Sequence, residues 1–311
     1  MSLALYFWLF STGLYLIGKC ILQDLVNVNN VKKLMVKYGL RFSHSLGQNF
    51  IVSSGVVSKI IEACGTNKQI SVLEIGTGIG SLTKELSIYS KKVVSVEIDK
   101  KLIPVIEETL KDFKNVTVLN CDFLKLDLKK LWAEYFADDD VIICANLPYY
   151  ITSAIIIKII ESKVDFLSMT LMLQKEVANR ICAPVGTRKT GAISAIIQYY
   201  CSPEFLFDVG KGNFVPVPKV DSAVIKLNKL KTAPVKVINE DIFFKVIKQS
   251  FSKRRKTMLN SLGSFCGIPK EKTKEILTDV GVVNLRPENL SLNKFAEISN
   301  IISKTLHSYL V

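Results

Sequence analysis

Asn146, Leu147, Pro148 and Tyr149 are the residues of this sequence best equipped for chemistry. They follow Val141–Cys144, an apolar run that reads as a buried parallel strand, and precede Ile151-Thr152-Ser153, a helix start. A polar amide, a proline and two aromatics, Tyr149 and Tyr150, therefore sit at the C-terminal mouth of a strand, where open α/β sheets bind ligands. The set suits a planar, conjugated amine acting as nucleophile. An exocyclic amine such as that of adenine is weak because its lone pair is delocalised into the ring. The side-chain oxygen of Asn146 and a backbone carbonyl of Leu147 or Pro148 can accept its two N–H bonds and localise that pair. Tyr149 can stack on the base, worth about 1–3 kcal/mol. Pro148 fixes φ and brings no N–H of its own. Taken alone, the same stretch is equally well a strand-ending turn with core tyrosines.

A second cluster suits a nucleoside cofactor. Glu74-Ile75-Gly76-Thr77-Gly78-Ile79-Gly80 is a glycine turn between a strand and a helix, and glycines let the backbone approach a ligand closely. About twenty residues on, Val96-Glu97-Ile98-Asp99 ends the next strand, and an acid there suits ribose hydroxyls. Enzymes using NAD and those using S-adenosylmethionine (SAM) share both features. Ser81 stands where the dinucleotide fingerprint wants glycine, so the loop reads Gly-x-Gly-x-Gly and favours SAM. Asp122, at the end of a third strand, can accept the adenine amino group of a cofactor; the plainer reading is a cap on the following helix.

The elements that must hold these clusters alternate. Strands are expected at 70–75, 92–98, 116–120, 141–145 and 166–173, and helices at 56–64, 81–89, 100–113, 126–136, 151–162, 175–182 and 191–201. An antiparallel pair, 204–209 with 223–230, closes the series. Such alternation argues a doubly wound α/β fold with a mostly parallel sheet. Lys231–Pro234 reads as a linker, and the apolar spacing of 240–251, 256–265, 270–280 and 292–308 predicts a small helical domain. The expected domains are 24–230 and 235–311, preceded by an atypical apolar segment, 1–23.

Lysine and arginine outnumber aspartate and glutamate by 41 to 28, a formal charge of +13 that favours a polyanionic partner. The 7 cysteines are scattered without a Cys-x-x-Cys pair and are expected to be reduced core residues of a cytosolic protein. The 2 histidines, His44 and His307, are far apart, which argues against a zinc site or histidine acid/base chemistry. No metal is expected. Residues 1–22 are nearly uncharged, with Tyr6-Phe7-Trp8-Leu9-Phe10 at their centre. The first expectation is a start codon assigned upstream of the true one near Leu25, the second a membrane anchor, the third a packed helix.

Seven ordered motifs resemble the ribosomal RNA adenine N6-dimethyltransferases of the KsgA type. They are Leu46–Phe50, Glu74–Gly80, Val96–Asp99, Asn146–Tyr149, Met172–Val177, Phe214–Ser222 and Phe251–Lys256, and the likeness runs from about Asp24 to the C-terminus. Ile51 replaces a usual leucine and Thr77 a usual proline or alanine, while 1–22 has no counterpart. The resemblance implies a Rossmann-like class I fold with a C-terminal helical domain, and SAM-dependent dimethylation of two adjacent adenines in the terminal hairpin loop of small-subunit rRNA. It implies SAM contacts from Asn49, Ile51, Gly76, Glu97, Asp122 and Asn146. Asn146 and the Leu147–Pro148 backbone would hold the target amine, with Tyr149 on one face of the base and Phe214 closing the other; read by itself, Phe214 is hydrophobic packing.

Lys245, Lys248, Lys253, Arg254, Arg255 and Lys256 form an acid-free stretch along the first C-terminal helices, with Lys253–Lys256 expected on rRNA phosphates rather than as a merely solvated face. The expected partner is the small ribosomal subunit, met by a cytoplasmic monomer, with membrane contact only if 1–22 is real. Two alternatives are the large-subunit adenine methyltransferase of macrolide resistance and a catalytically silent RNA-binding assembly factor.

Overall fold

The computed structural model describes residues 25–43, 46–253 and 255–308. The readings given above for 1–22, His44 and Arg254 fall outside them. Among the described residues no helix is long and apolar enough to cross a membrane.

The strands are Phe50–Ile51 (β1), Ser71–Ile75 (β2), Lys92–Glu97 (β3), Val116–Asn120 (β4), Val141–Asn146 (β5), Ser168–Gln174 (β6), Cys201–Val209 (β7), Phe214–Val215 (β8) and Ser222–Lys229 (β9). Seven of them form one sheet in the order β4-β3-β2-β5-β6-β9-β7. The run from β4 to β6 is parallel throughout. This is the doubly wound, Rossmann-like α/β sheet that the alternation predicts. β2 lies between β3 and β5, so the crossovers leave it in opposite directions and open a crevice at the carboxyl ends. Ile75 lies opposite both Val96 and Ala145, and Glu97 opposite Asn120. One register thus brings the loops after four strands together. Separately, β1 pairs antiparallel with β8, Ile51 facing Phe214.

Helix boundaries follow their caps. Asp127 accepts from the N–H of Lys129 and Lys130, so the helix is Leu128–Tyr135 and not the longer 126–136. Pro104 and the Asp99 cap turn the expected 100–113 helix into a tight turn, Lys100–Leu102, and a helix, Ile103–Leu110. Val57, Ile60, Ile61, Val72, Leu86 and Ile142 are all at most 7 % exposed and share one core cluster. Burying each such side chain stabilises by roughly 1.5–3 kcal/mol, which anchors the strand ends that carry the polar groups. Cys64 and Cys144 sit in that cluster with their sulfurs 3.3 Å apart, the Cys64 thiol donating. Cys266, by contrast, is exposed, and Cys121 and Cys182 are half-buried, so the expectation of core cysteines holds for only part of the set.

The chain divides into two compact units, Met1–Lys175 with Leu206–Lys226, and Glu176–Phe205 with Leu227–Val311. The stretch 176–205 groups with the C-terminal helices because of its aromatics. Tyr199 packs on Phe243 and Phe244 at 5.0 and 5.4 Å, and Tyr200 stacks on Phe244 at 5.5 Å. Both phenols donate to the Glu240 carboxylate.

Candidate active site

The loops at the carboxyl ends of β2 to β5 and the segment before β1 enclose a cleft in the first unit. Asn49, Gly76, Glu97, Asp122, Asn146, Leu147, Pro148 and Tyr149, eight of the predicted residues, line it.

Asn146 closes β5. Its side-chain Nδ2 donates to the Asn49 carbonyl at 3.0 Å. A carbonyl accepts and never donates, so this bond fixes the amide's orientation and leaves Oδ1 as an acceptor. Leu147 donates its N–H to Met172 O at 3.0 Å, while its own carbonyl accepts nothing among the described residues. The Pro148 carbonyl is already occupied, by Ile151 N–H at 3.3 Å and Thr152 Oγ1 at 3.1 Å. Of the two carbonyls, only that of Leu147 is left open among the described residues. Tyr149 is half-buried, and its hydroxyl lies 2.6 Å from Ser222 Oγ. Burial pushes this phenol above its ordinary range, so it stays neutral.

The cofactor-side residues are equally constrained. Glu97 is 5 % exposed; its two oxygens accept separately from Gly78 N–H at 2.9 Å and Asp99 N–H at 2.8 Å. Burial raises its pKa, against those two bonds. Each oxygen keeps a lone pair for a hydroxyl. Asp122 Oδ1 accepts from Leu124 N–H at 2.9 Å, so the plain reading as a cap is realised; Oδ2 accepts nothing among the described residues. Gly76 has a left-handed φ of 87°, a turn that favours glycine, and it brings the end of β2 alongside Asn146 O, 3.7 Å from where a Cβ would sit. Cys121 is a wall of the cleft; burial and then the neighbouring Asp122 charge raise its thiol, which stays protonated.

Two predicted residues do not reach the cleft. Phe214 is 1 % exposed and packs in the core with Ile51, Val57 and Val224, because β8 lies against β1 and turns the ring inward. Its plain reading as packing is the one the fold adopts. Ile51 is buried in the same cluster at 4 %. The basic residues also differ from expectation. Lys253, Arg255 and Lys256 fall between helices Glu240–Ser250 and Met258–Leu262, not along a helix. Lys253 and Arg255 line a cavity of about 1060 Å³ within the second unit, with Arg180, Arg188, Lys189 and Arg286, against the acids Glu176 and Glu288.

Sequence reasoning missed the bonds that stiffen the cleft. Gln48 accepts from Ser43 N–H at 2.9 Å and donates to Asp99 at 2.7 Å, which ties the loop before β1 to the end of β3. Thr83 and Ser95 both donate to Glu74 Oε2 at 2.6 Å, and Thr77 Oγ1 lies 2.6 Å from Ser95 Oγ. Glu74 is fully buried, Oε1 has no partner among the described residues, and desolvation pushes its pKa to about 8. A neutral acid thus braces the glycine turn. Only the departure at Thr77 signalled this network.

Comparison with known proteins shows the family and the fold. A family model described as Ribosomal RNA adenine dimethylase matches residues 39–304. Proteins named Ribosomal RNA small subunit methyltransferase A from Bacillus mycoides (strain KBAB4) and Bacillus cereus (strain AH187) are each 42% identical over 286 residues, covering 90% of this chain and 98% of theirs. A dimethyladenosine transferase structure from Plasmodium falciparum superposes with a TM-score of 0.68 at 27% identity, covering 82% of this chain and 97% of that one. The 23S rRNA methyltransferase ErmE, at 24% identity and a TM-score of 0.61, shares the fold over 81% of this chain and 98% of its own. The chain belongs to the ribosomal RNA adenine dimethylase family.

Proposed function

We propose that this enzyme transfers methyl groups from SAM to N6 of two adjacent adenines in the terminal hairpin loop of small-subunit rRNA, leaving N6,N6-dimethyladenosine. The observation that carries the reading is the Asn146 amide, pinned through Nδ2 so that Oδ1 is left as an acceptor, followed in the chain by a Leu147 carbonyl that accepts nothing among the described residues. The small-subunit names of the 42% identical relatives favour that substrate over the large-subunit alternative.

The cleft fits SAM. Glu97 offers two held oxygens for ribose hydroxyls, Asp122 Oδ2 an acceptor for an adenine amino group, and Gly76 a backbone in the left-handed turn that glycine adopts freely. Asn49 and Asn146 border the same space. When bound, SAM supplies an electrophilic methyl on a sulfonium sulfur. The chain's residues orient and exclude. Asn146 Oδ1 and Leu147 O accept the two N–H bonds of the target amine and draw its lone pair out of the ring. Tyr149 holds the base, which must be flipped from its loop to enter. The phenol and the Cys121 thiol stay protonated, so neither is a base. The N6 proton would turn acidic only as the N–C bond forms and the methyl–sulfur bond breaks, leaving a neutral thioether, and water would take it; alignment does most of the work. Lys253, Arg254, Arg255 and Lys256 hold rRNA phosphates in this reading. One copy supplies the whole cleft, and work on ribosomal subunits puts it in the cytoplasm.

The test is transfer of labelled methyl from SAM to small subunits lacking the modification, beside large subunits. N6,N6-dimethyladenosine in small-subunit RNA alone is expected. Label in large-subunit RNA would move the assignment to the resistance-type enzyme, and no label with SAM still bound would leave an RNA-binding assembly factor.

A further inference from the structure

We propose that Tyr150 is a second nucleobase subsite: a stacking platform at the rim of the cleft for the base adjacent to the adenine held by Asn146. The inference rests on the functional reading above. Consecutive tyrosines here meet opposite surroundings. Tyr149 is turned in, its hydroxyl bonded to Ser222. Tyr150 is 59% exposed, the most exposed aromatic among the described residues, and its hydroxyl has no partner among them.

The ring is nevertheless seated. A Cβ built on Gly47 would lie 3.4 Å from both Cδ1 and Cε1 of Tyr150 and 3.5 Å from Pro148 Cβ. Gly47 has a left-handed φ of 62°, and its neighbour Gln48 ties the loop to Ser43 and Asp99. The Cδ1–Cε1 side of the ring rests on this braced loop, and the remainder faces solvent. Such a ring loses little freedom when a flat partner covers it. Gly47 and Pro148 also line the cleft, so the ring stands beside its opening.

The substrate chemistry supplies the flat partner. Flipping one adenine out of a loop deprives its neighbour of a stacking surface. With two adjacent targets, one base occupies the cleft while the other stands at the rim. The neighbour lies on the 3′ side of the target in one transfer and on the 5′ side in the other, so the aromatic serves the transfer whose neighbour falls on its side of the cleft. Every base has a π-face, so the platform needs no sequence-specific contact.

A double-mutant cycle tests this, using reconstituted small subunits with either the native neighbour or an abasic site next to the target adenine. Tyr150→Ala is expected to raise KM for native subunits by roughly 5- to 100-fold. Tyr150→Leu, which keeps apolar packing on Gly47 but lacks a π-face, should behave like alanine, and Tyr150→Phe should restore the wild-type KM to within about twofold. The abasic site should cost the wild type the same factor and cost Tyr150→Ala nothing further. Wild-type KM in the leucine variant, or two losses that simply multiply, would overturn the platform. SAM affinity and Tm, measured on each variant, should match the wild type. If the wild type fails on native subunits, the functional reading falls; if it works and Tyr150→Ala matches it, only the platform falls.

Discussion

Two cavities of this molecule, the cleft in the first unit and the cation-lined cavity in the second, are built on opposite principles. The cleft in the first unit presents few charges, and its polar side chains are each held by a hydrogen bond that leaves an acceptor open, as at Asn146, Glu97 and Asp122. The cavity in the second unit is lined by six cations, Arg180, Arg188, Lys189, Lys253, Arg255 and Arg286. Of these, Arg180 is paired to Glu176 at 3.0 Å, a half-exposed ion pair worth little in water. A preorganised wall suits a step in which alignment is the catalyst. A cluster of exposed cations suits a ligand recognised by charge, at a strength that salt can tune. In the proposed reading, chemistry and grip are separable properties of one chain.

The largest effect should come from beneath the cleft. Phe214→Ala should destabilise the fold by about 3–5 kcal/mol in urea melts, because it empties a closed site, while SAM affinity of the folded fraction is kept. A normal melt with a raised KM for rRNA would return the ring to the cleft and break the contrast. Next, Asn146→Ala should lower kcat by about 10²–10³-fold with an unchanged melt, the usual loss when one preorganised hydrogen-bonding group is removed. Near-normal turnover would sink the account of the paired acceptors.

Arg180→Glu with Arg255→Glu addresses the other cavity. Binding to rRNA should weaken about tenfold near physiological salt. The dependence on log salt should flatten by about 0.7–0.9 for each phosphate that is no longer neutralised, with SAM affinity unaltered. An unchanged slope would mean that these cations are a solvated face.

The smallest effect sharpens the idea of a braced wall. Buried Glu74 holds its proton to about pH 8 in the folded chain, against an ordinary value of 4.5. The folded state binds that proton more tightly than the unfolded one. Its contribution is therefore complete below about pH 4.5 and is lost as pH rises towards 8, by at most about 1.4 kcal/mol per unit. Glu74→Gln should flatten that part of the stability–pH curve. Identical curves for the two proteins would show that the acid is not held neutral.

The sequence carried the strand ends well because each ends in a local pattern: an apolar run, then the polar residue that the crevice needs. Asn146, Glu97 and Asp122 are legible for that reason. Phe214 and Ile51 were not, since their burial depends on β1 meeting β8, segments far apart in the chain. Grouping 176–205 with the C-terminal helices likewise required Tyr199 and Tyr200 to meet Phe243 and Phe244, which no local spacing announces. The brace around Glu74 joins residues from two strands, a loop and a helix, and showed in the sequence only as a threonine at position 77.

Cys144 lies two residues before Asn146, and its sulfur is 3.3 Å from that of Cys64, both sealed beneath the sheet. Neither can meet a thiol reagent unless this part of the molecule opens, whereas Cys266 is always available. Among the described residues the protein thus carries its own clock: Cys266 is an internal standard, and the labelling rate of Cys64 and Cys144, resolved from that of the equally buried Cys201, reports how often the strand beneath the amide comes free.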